Sequence, residues 1–347
     1  MSRPANYLPG INPALAQWPL LPPVEVDDLV GGLTAGDPGA LSRAITLMES
    51  TRGQDYDQKK EFFAAVEDQK TSGKLRLAIS GAPGTGKSTL INALADHWAR
   101  QGKRLAILAV DPSSITSGGS LLGDKTRMEN LHVYDQVFVR PSPSRGHLGG
   151  VTPHTMENLR LCEAAGYDLT IIETVGVGQS EVEVRDMVDL VALVLAPFTG
   201  DELQGIKRGI VEIADVIVVN KSDGLQLSQA RDTASAYRQA LLYLHRDIQV
   251  YETSALEGRG IEQLAAEIIG RFERGWQSGE LPAQRQQQTG RRFNALVNQH
   301  AVTAVRNHPA AERILQGYIQ AIDHKTMTPE LAALRCWQEI ISVWTGA

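Results

Sequence analysis

Seven short, almost continuously apolar runs constrain the fold of this 347-residue chain more than any other feature. They cover residues 75–80, 104–111, 136–141, 169–174, 190–197, 216–221 and 249–254. Strands of a parallel sheet that is buried on both faces have this composition, and helical patterns separate most of the runs. We therefore predict an α/β fold in which helices cover both faces of a mostly parallel sheet.

Helical patterns also precede the first strand. Asp37 and Pro38 are typical of a helix start, and apolar residues follow at helical spacing as far as Met48. A second helix is predicted near residues 58–69. Residues 1–24 are rich in proline, which predicts an extended arm or a terminus without fixed structure.

After the last strand the patterns are helical only. The polar stretch Gln284–Gln288 predicts a hinge within them. The chain therefore divides into residues 1–72, an arm with helices, residues 73–277, the sheet domain, and residues 278–347, a helical segment. The helices after the last strand are predicted at residues 261–276, 293–305, 310–322 and 329–343.

The string GAPGTGKS at residues 81–88 matches the full phosphate-loop pattern. A predicted strand precedes it and a helical pattern follows it, as that loop requires. Its glycines let successive backbone N–H groups turn inward, Lys87 supplies a cation, and the Ser88 hydroxyl suits Mg²⁺. A glycine-rich turn with a chance lysine is the alternative. The predicted phosphate-binding residues are Gly81, Ala82, Pro83, Gly84, Thr85, Gly86, Lys87, Ser88 and Thr89.

A second motif, NKSD at residues 220–223, stands at the end of a predicted strand. The Asp223 carboxylate can accept hydrogen bonds from N1–H and the 2-amino group of guanine, whereas adenine would leave it unpaired. Asn220 can hold neighbouring loops, and the Lys221 stem can cover the base. Taken alone, the motif could be a surface turn. Together with the phosphate loop and the strand-end residues Ser254, Ala255 and Leu256, it predicts GTP and GDP as ligands.

Three acids between these motifs are candidates for metal and water. Asp111 and Glu173 end predicted strands, and Asp124 lies in a loop. Mg²⁺ typically binds one or two carboxylates together with phosphate oxygens. Gly176 can offer its N–H group to the γ-phosphate. Either Asp124 or Glu173 would orient the attacking water, and a solvated loop acid is the alternative for each of the three.

Several longer strings together resemble the MeaB/ArgK family of GTPases. They are GAPGTGKST, DPSS, LLGDKTRM, ETVGVGQSE, GDELQGIKRGI and ADVIVVNKSDG. The resemblance covers about residues 28–275 strongly and the C-terminal helices more loosely. It implies a P-loop NTPase fold of the SIMIBI type, with residues 73–277 as the GTPase domain. It also implies a homodimer in which residues 278–347 form the dimer contact.

The same resemblance implies a function. Such proteins are G-protein chaperones of adenosylcobalamin-dependent mutases, chiefly methylmalonyl-CoA mutase; they gate cofactor loading and protect the mutase from inactivation. Hydrolysis of GTP is slow and is stimulated by the client. The implied catalytic residues are Lys87, Asp124 and Glu173, and the implied metal residues are Ser88, Asp111, Asp124 and Glu173. Asp201, Gln204 and Lys207 would couple the nucleotide state to the client.

Two other functions remain open at this point. A metallochaperone GTPase would carry histidine runs or close cysteine pairs, whereas this chain has eight scattered histidines and the isolated Cys162 and Cys336. A kinase of a transport protein is the other alternative. Against it, NKSD and the strand-end residues 254–256 argue for guanine, and the sequence shows no signature of an acceptor site.

The net charge and the number of cysteines limit the partners and the cellular compartment that we predict. The formal net charge is -6, and generic nucleic-acid or anionic-membrane binders are more often basic. No apolar run approaches the length of a membrane span, and the start does not resemble a secretory signal. Two distant cysteines suit a reducing compartment. We therefore expect a cytoplasmic protein that binds neither nucleic acid nor membranes.

Overall fold

The computed structural model describes residues 25–50, 55–66, 73–111, 131, 133–143, 154–174, 180–197 and 212–345. The chain divides into two compact units, Met1–Arg274 and Gly275–Ala347. The predicted N-terminal arm, residues 1–24, lies outside the described residues.

A seven-stranded parallel sheet forms the centre of the first unit. Its strands are β1 (Leu75–Ser80), β2 (Leu105–Asp111), β3 (Val137–Pro143), β4 (Leu169–Glu173), β5 (Leu190–Leu195), β6 (Val216–Val219) and β7 (Gln249–Glu252). The order across the sheet is β3-β2-β4-β1-β5-β6-β7, and every neighbouring pair is parallel. Each strand corresponds to one predicted apolar run, so the predicted α/β class is confirmed.

Helices cover both faces of this sheet. They are α1 (Val26–Thr34), α2 (Pro38–Glu49), α3 (Tyr56–Val66), α4 (Lys87–Arg100), α5 (Thr155–Ala164), α6 (Ser180–Arg185), α7 (Leu227–Tyr243) and α8 (Ile261–Gln277), whose last turn belongs to the second unit. β1 lies between β4 and β5 at the middle of the sheet. Because the chain passes from one side of β1 to the other there, the carboxyl end of β1 is where an open α/β sheet is expected to bind a ligand.

Helices α1 to α3 share a hydrophobic core with the sheet. The Asp37 carboxylate caps α2 by accepting hydrogen bonds from the backbone N–H groups of Gly39 (3.0 Å) and Ala40 (2.9 Å), and these bonds lower the pKa of Asp37. Leu41 of α2 is fully buried and shares one apolar cluster with Leu108 of β2. The helices before the first strand therefore cover one face of the sheet.

A buried ion pair joins β1 to α5 on that side. Arg76 Nε donates to Glu163 Oε1 at 2.8 Å, and Arg76 Nη2 donates to Glu163 Oε2 at 2.7 Å. The two side chains are 8% and 1% exposed. Charge-assisted pairs with two parallel bonds are strong, but each partner depends on the other once both have left water.

The second unit is helical. Its helices are α9 (Glu280–Asn307), α10 (Pro309–Asp323) and α11 (Pro329–Thr345). The predicted hinge at Gln284–Gln288 is wrong, because α9 runs through it without a break. The stretch contains glutamine and arginine, which are good helix formers, and neither glycine nor proline. Arg285 in it also stacks over Trp276, with 5.0 Å between the guanidinium carbon and the ring centroid.

The core of the second unit is small. Val305 of α9, Ala311 of α10, and Cys336 and Ile340 of α11 form its buried cluster. Cys336 and Cys162 are both buried and both free thiols. Among the helices within the described ranges, none combines the length and apolar composition that a membrane crossing requires.

Removing one partner of the buried ion pair should cost more than removing both. We expect Glu163→Gln to lower the free energy of unfolding by about 3–5 kcal/mol, because it leaves the Arg76 guanidinium buried without a countercharge. The double variant Arg76→Met/Glu163→Leu should recover most of that loss. Urea unfolding followed by circular dichroism measures both, and a double variant no more stable than Glu163→Gln would contradict the prediction.

Candidate nucleotide site

The phosphate loop connects β1 directly to α4. Gly81, Gly84 and Gly86 have φ of +149°, +82° and +88°, values that favour glycine. A Cβ on Gly81 would lie 2.1 Å from the carbonyl oxygen of Val194 in β5, so this position has no room for a side chain. Ala82, Pro83 and Gly84 are exposed, whereas Thr85 is buried. The structure therefore presents the predicted loop at the carboxyl end of the central strand.

Lys87 opens α4 and is buried against its own loop. Its Nζ donates to the carbonyl oxygens of Gly81 at 2.7 Å and Ala82 at 3.1 Å. Burial lowers the pKa of Lys87, and the nearby Glu173 carboxylate opposes that shift. A partly desolvated ammonium held by two neutral carbonyls can exchange them for anionic phosphate oxygens, which are stronger acceptors.

Ser88 meets Glu173 next to the loop. Ser88 Oγ donates to Glu173 Oε1 at 2.7 Å. Glu173 ends β4, beside Ile79 of β1 and Ala109 of β2, and Asp111 ends β2 two residues further on. A hydroxyl beside a carboxylate is a pair of hard oxygen donors, which fits the ligands that Mg²⁺ prefers. Within the described part of the chain, no three His, Cys, Asp or Glu residues group into a metal site.

Some predicted site residues cannot be placed. Asp124, Gly176, Asp201, Gln204 and Lys207 lie outside the described residues. Thr89 lies in the first turn of α4 and is exposed.

Asn220 joins the phosphate loop to the loop after β7. Its Nδ2 donates to the carbonyl oxygens of Thr85 at 3.1 Å and Gly86 at 3.3 Å. Its Oδ1 accepts from the Ala255 N–H group at 3.1 Å and from Thr253 Oγ1 at 3.3 Å. Asn220 is 2% exposed. The structure therefore brings the three predicted motifs together through one buried amide.

Asp223, in the loop after β6, is oriented by a serine of the loop after β7. Ser254 Oγ donates to Asp223 Oδ2 and accepts from the Glu257 N–H group at 3.1 Å. Lys221 has φ of +57°, which turns the chain sharply after β6. Leu256 is 84% exposed beside them. A hydrogen bond from Ser254 therefore holds the direction of the carboxylate that the sequence assigns to guanine.

Two groups at this site escaped the sequence prediction. One is the Val194 carbonyl, which leaves no room for a side chain at Gly81. It is a backbone group, so the residue type gives no indication of its role. Thr253 supplies a hydroxyl to Asn220 and directly precedes Ser254. Its position at a strand end beside a predicted guanine motif was a usable signal.

The two left-handed glycines of the loop make a matched test. Gly84→Ala and Gly86→Ala both pay about 1–2 kcal/mol for the left-handed backbone. Only Gly86→Ala also pushes on the Asn220 amide, because its Cβ would lie 2.5 Å from Nδ2, whereas Gly84 has open space. We expect the ratio of GDP to ADP affinity, measured by calorimetry, to fall about tenfold further in Gly86→Ala. Equal ratios would show that Asn220 does not transmit the change.

Comparisons with known proteins agree on one family. A family model described as methylmalonyl-CoA mutase-associated GTPase MeaB matches residues 41–310. The mitochondrial methylmalonic aciduria type A homolog of Mus musculus is 44% identical over 299 residues, covering 82% of this chain and 72% of that protein. GTPase ArgK of Escherichia coli is 38% identical over 314 residues, covering 89% of this chain and 94% of that protein.

A solved structure extends the agreement to the fold. The crystal structure of an LAO/AO transport system kinase matches with a TM-score of 0.71 and 31% identity, covering 93% of this chain and 99% of that one. The family predicted from the motifs is confirmed, and the chain belongs to the MeaB family of GTPases.

Proposed function

We propose that this GTPase is a chaperone of an adenosylcobalamin-dependent acyl-CoA mutase, first of all methylmalonyl-CoA mutase. The observation that carries the proposal is the match of residues 41–310 to a family described as mutase-associated. The name of the mouse relative, methylmalonic aciduria type A homolog, points the same way. In this role the chain binds the mutase, gates the loading of its cofactor and protects it from inactivation.

Guanine selection is assigned to the loops after β6 and β7. The bond from Ser254 to Asp223 supports it, because a carboxylate held in one orientation loses little conformational entropy when it accepts N1–H and the 2-amino group. Asn220 ties this side to the phosphate loop, so base and phosphates are read by one connected structure. The Lys221 stem and Leu256 are assigned to the faces of the base.

Mg²⁺ is assigned to Ser88 and Glu173, with Asp111 and Asp124 as further candidates. The hydrogen bond between Ser88 and Glu173 supports the assignment, since it places Ser88 Oγ beside Glu173 Oε1. When bound, the ion would neutralise charge on the phosphate oxygens. Lys87 would exchange its loop carbonyls for the β- and γ-phosphate oxygens, which holds the phosphate chain for attack.

Hydrolysis is proposed to proceed by in-line attack of water on the γ-phosphate. Positioning and charge neutralisation by Lys87 and the loop N–H groups supply most of the catalysis. Gly176 offers an N–H group to the γ-phosphate. Because Glu173 is engaged with Ser88 on the metal side, Asp124 is the first candidate for orienting the water.

Client coupling is proposed for Asp201, Gln204 and Lys207. Loops that contact the γ-phosphate are ordered by it and released after hydrolysis, which couples nucleotide state to partner binding. We expect slow intrinsic hydrolysis that the mutase accelerates.

Dimerisation is assigned to the second unit. Helix α11 exposes apolar side chains at the 3-4-3 spacing of a coiled-coil seam: Leu334 (68%), Trp337 (50%), Ile341 (40%) and Trp344 (44%). Four large apolar side chains along one helix face are more than a monomer usually leaves in water. A second copy of this chain is the proposed occupant.

Nucleotide-dependent binding to the mutase tests the main proposal. We expect purified chain to bind methylmalonyl-CoA mutase with affinities that differ at least about fivefold between GDP and guanylyl imidodiphosphate, because coupled sites typically differ by that much or more. Calorimetry measures the affinities, and phosphate release measures the expected acceleration of hydrolysis. If neither methylmalonyl-CoA mutase nor an isobutyryl-CoA mutase binds or accelerates hydrolysis, the client assignment is wrong.

The Asp223→Asn variant ties that response to this site. Xanthine carries an oxygen at C2 where guanine carries an amino group, so an asparagine amide can donate to it. The variant should lose its response to GTP and gain one to XTP, each by at least about tenfold. Asp232→Asn, which changes an exposed aspartate on α7, should keep the wild-type response to GTP.

The same purified proteins can be used to test the two alternative functions, the kinase and the metallochaperone. Transfer of labelled γ-phosphate to a protein acceptor by the wild type, and not by Lys87→Ala, would favour the transport-system kinase. Stoichiometric binding of nickel or zinc would favour the metallochaperone.

Disrupting the seam should yield monomers. Leu334→Glu places a carboxylate on the seam, whereas Arg335→Glu places one at the next, exposed position of α11, about 100° around the helix and outside the seam. We expect light scattering to report monomers for Leu334→Glu and dimers for Arg335→Glu and wild type. A wild-type chain that is monomeric at high concentration would contradict the proposal.

A further inference from the structure

Two hydroxyl groups are buried together between the ends of β1 and β4. Thr174 Oγ1 donates to Ser80 Oγ at 3.0 Å, and each residue is 1% exposed. Ser80 is the last residue of β1, and Thr174 follows the last residue of β4. Each therefore stands one residue from a group assigned to the nucleotide: Gly81 after Ser80, and Glu173 before Thr174.

Packing alone does not require hydroxyls at these positions. A buried hydroxyl costs free energy unless it is hydrogen-bonded, and alanine and valine would fill the same space in strands of this composition. Ser80 pairs in register with Leu193 of β5, and its neighbour Ile79 is fully buried. The bond between the hydroxyls offsets a desolvation cost that apolar residues would not have, which points to a geometric role.

The hydroxyl pair lies just beyond the last paired residues of β1 and β4. The register of β1 and β4 runs from Leu75–Leu169 to Ile79–Glu173. Beyond it, the Thr174 N–H group donates to the Ile79 carbonyl oxygen at 3.1 Å, and the hydroxyl pair adds one more bond. These two bonds fix where the chain leaves β4 relative to the start of the phosphate loop.

Glu173 and Ser88 lie on the two segments that this pair joins. Ser80 leads through the loop to Ser88, and Thr174 adjoins Glu173, whose Oε1 is 2.7 Å from Ser88 Oγ. A change in the spacing between the strand ends would therefore change the distance between these two oxygens. Metal sites lose affinity when the groups that orient their ligands are removed.

We propose that Ser80 and Thr174 are positioning residues, whose hydroxyl pair holds Glu173 and Ser88 at the spacing that the metal requires. The inference rests on the proposed metal role of Ser88 and Glu173. It assigns to a buried polar pair a part in metal affinity, and no direct contact with nucleotide or metal.

The affinity of the nucleotide complex for Mn²⁺ tests this proposal independently of hydrolysis. Mn²⁺ is added to the full-length chain saturated with guanylyl imidodiphosphate, and the free ion is read from its electron paramagnetic resonance signal. We expect Thr174→Val and Ser80→Ala each to raise the Mn²⁺ dissociation constant about two- to tenfold, the value of one hydrogen bond. Thr174→Ser, which keeps the hydroxyl, should stay near wild type.

The double variant Ser80→Ala/Thr174→Val separates positioning from stability. Removing both hydroxyls leaves neither unpaired, so it should restore much of the stability lost in the single variants. Under the proposal it still binds Mn²⁺ as weakly as the single variants do. Recovery of wild-type Mn²⁺ affinity in the double variant would overturn the proposal, as would wild-type affinity in both single variants.

Two further controls locate the cause of any effect. Thr170→Val removes a buried hydroxyl from β4, four residues before Thr174, and should leave Mn²⁺ affinity unchanged. An equal loss in this variant would overturn the proposal. Ser88→Ala and Glu173→Gln should weaken Mn²⁺ binding more than any change at Ser80 or Thr174; if they do not, the metal assignment itself fails, and mutase binding remains a separate question.

Discussion

The nucleotide site depends on the hydrogen bonds of one buried amide. Asn220 is 2% exposed and serves two acceptors in the phosphate loop and two donors in the loop after β7. A buried amide is tolerated when its donors and acceptors are matched, and here both ends are. Segments more than 130 residues apart in the chain thereby become one surface. The loop conformation that binds phosphate and the one that reads the base are set together.

The sheet order explains why such a short connection is possible. β1 and β6 flank β5, so the loops at their carboxyl ends emerge close to each other. Gly81 brings the phosphate loop against the Val194 carbonyl of β5, and Gly86 leaves room for the Asn220 amide. Each glycine is required for two reasons: its own positive φ angle, and the close approach of an atom from a neighbouring segment. The loop is shaped by the sheet below it as well as by its own sequence.

Much of the fold could be predicted because its signals are local. Buried parallel strands are apolar throughout, and Asp37 before Pro38 marked the start of α2. Gln284–Gln288 misled because polarity alone does not interrupt a helix: only residues that disturb the backbone do so. The phosphate loop and NKSD are local motifs too, so their placement at strand ends followed from the sequence.

Contacts between distant strands could not be predicted in the same way. That Asn220 would reach Thr85, or that the hydroxyls of Ser80 and Thr174 would meet, depends on strand order and register. Local sequence patterns determine neither strand order nor register. Nothing in the residues around a serine at a strand end indicates which side chain it will contact. The roles of Asp124 and the other residues outside the described ranges stay predictions.

The helices before β1 bear on where this chain could be divided. Leu41, Ile45 and Met48 of α2 are fully buried in the cluster that also contains Ala106 and Leu108 of β2. A fragment cut just before β1 would present that face of the sheet to water and would be prone to aggregate. Helices α1 to α3 are therefore part of the folded core of the GTPase. Its smallest separable form includes α1 to α3, and sequence changes in those helices are changes to the enzyme itself.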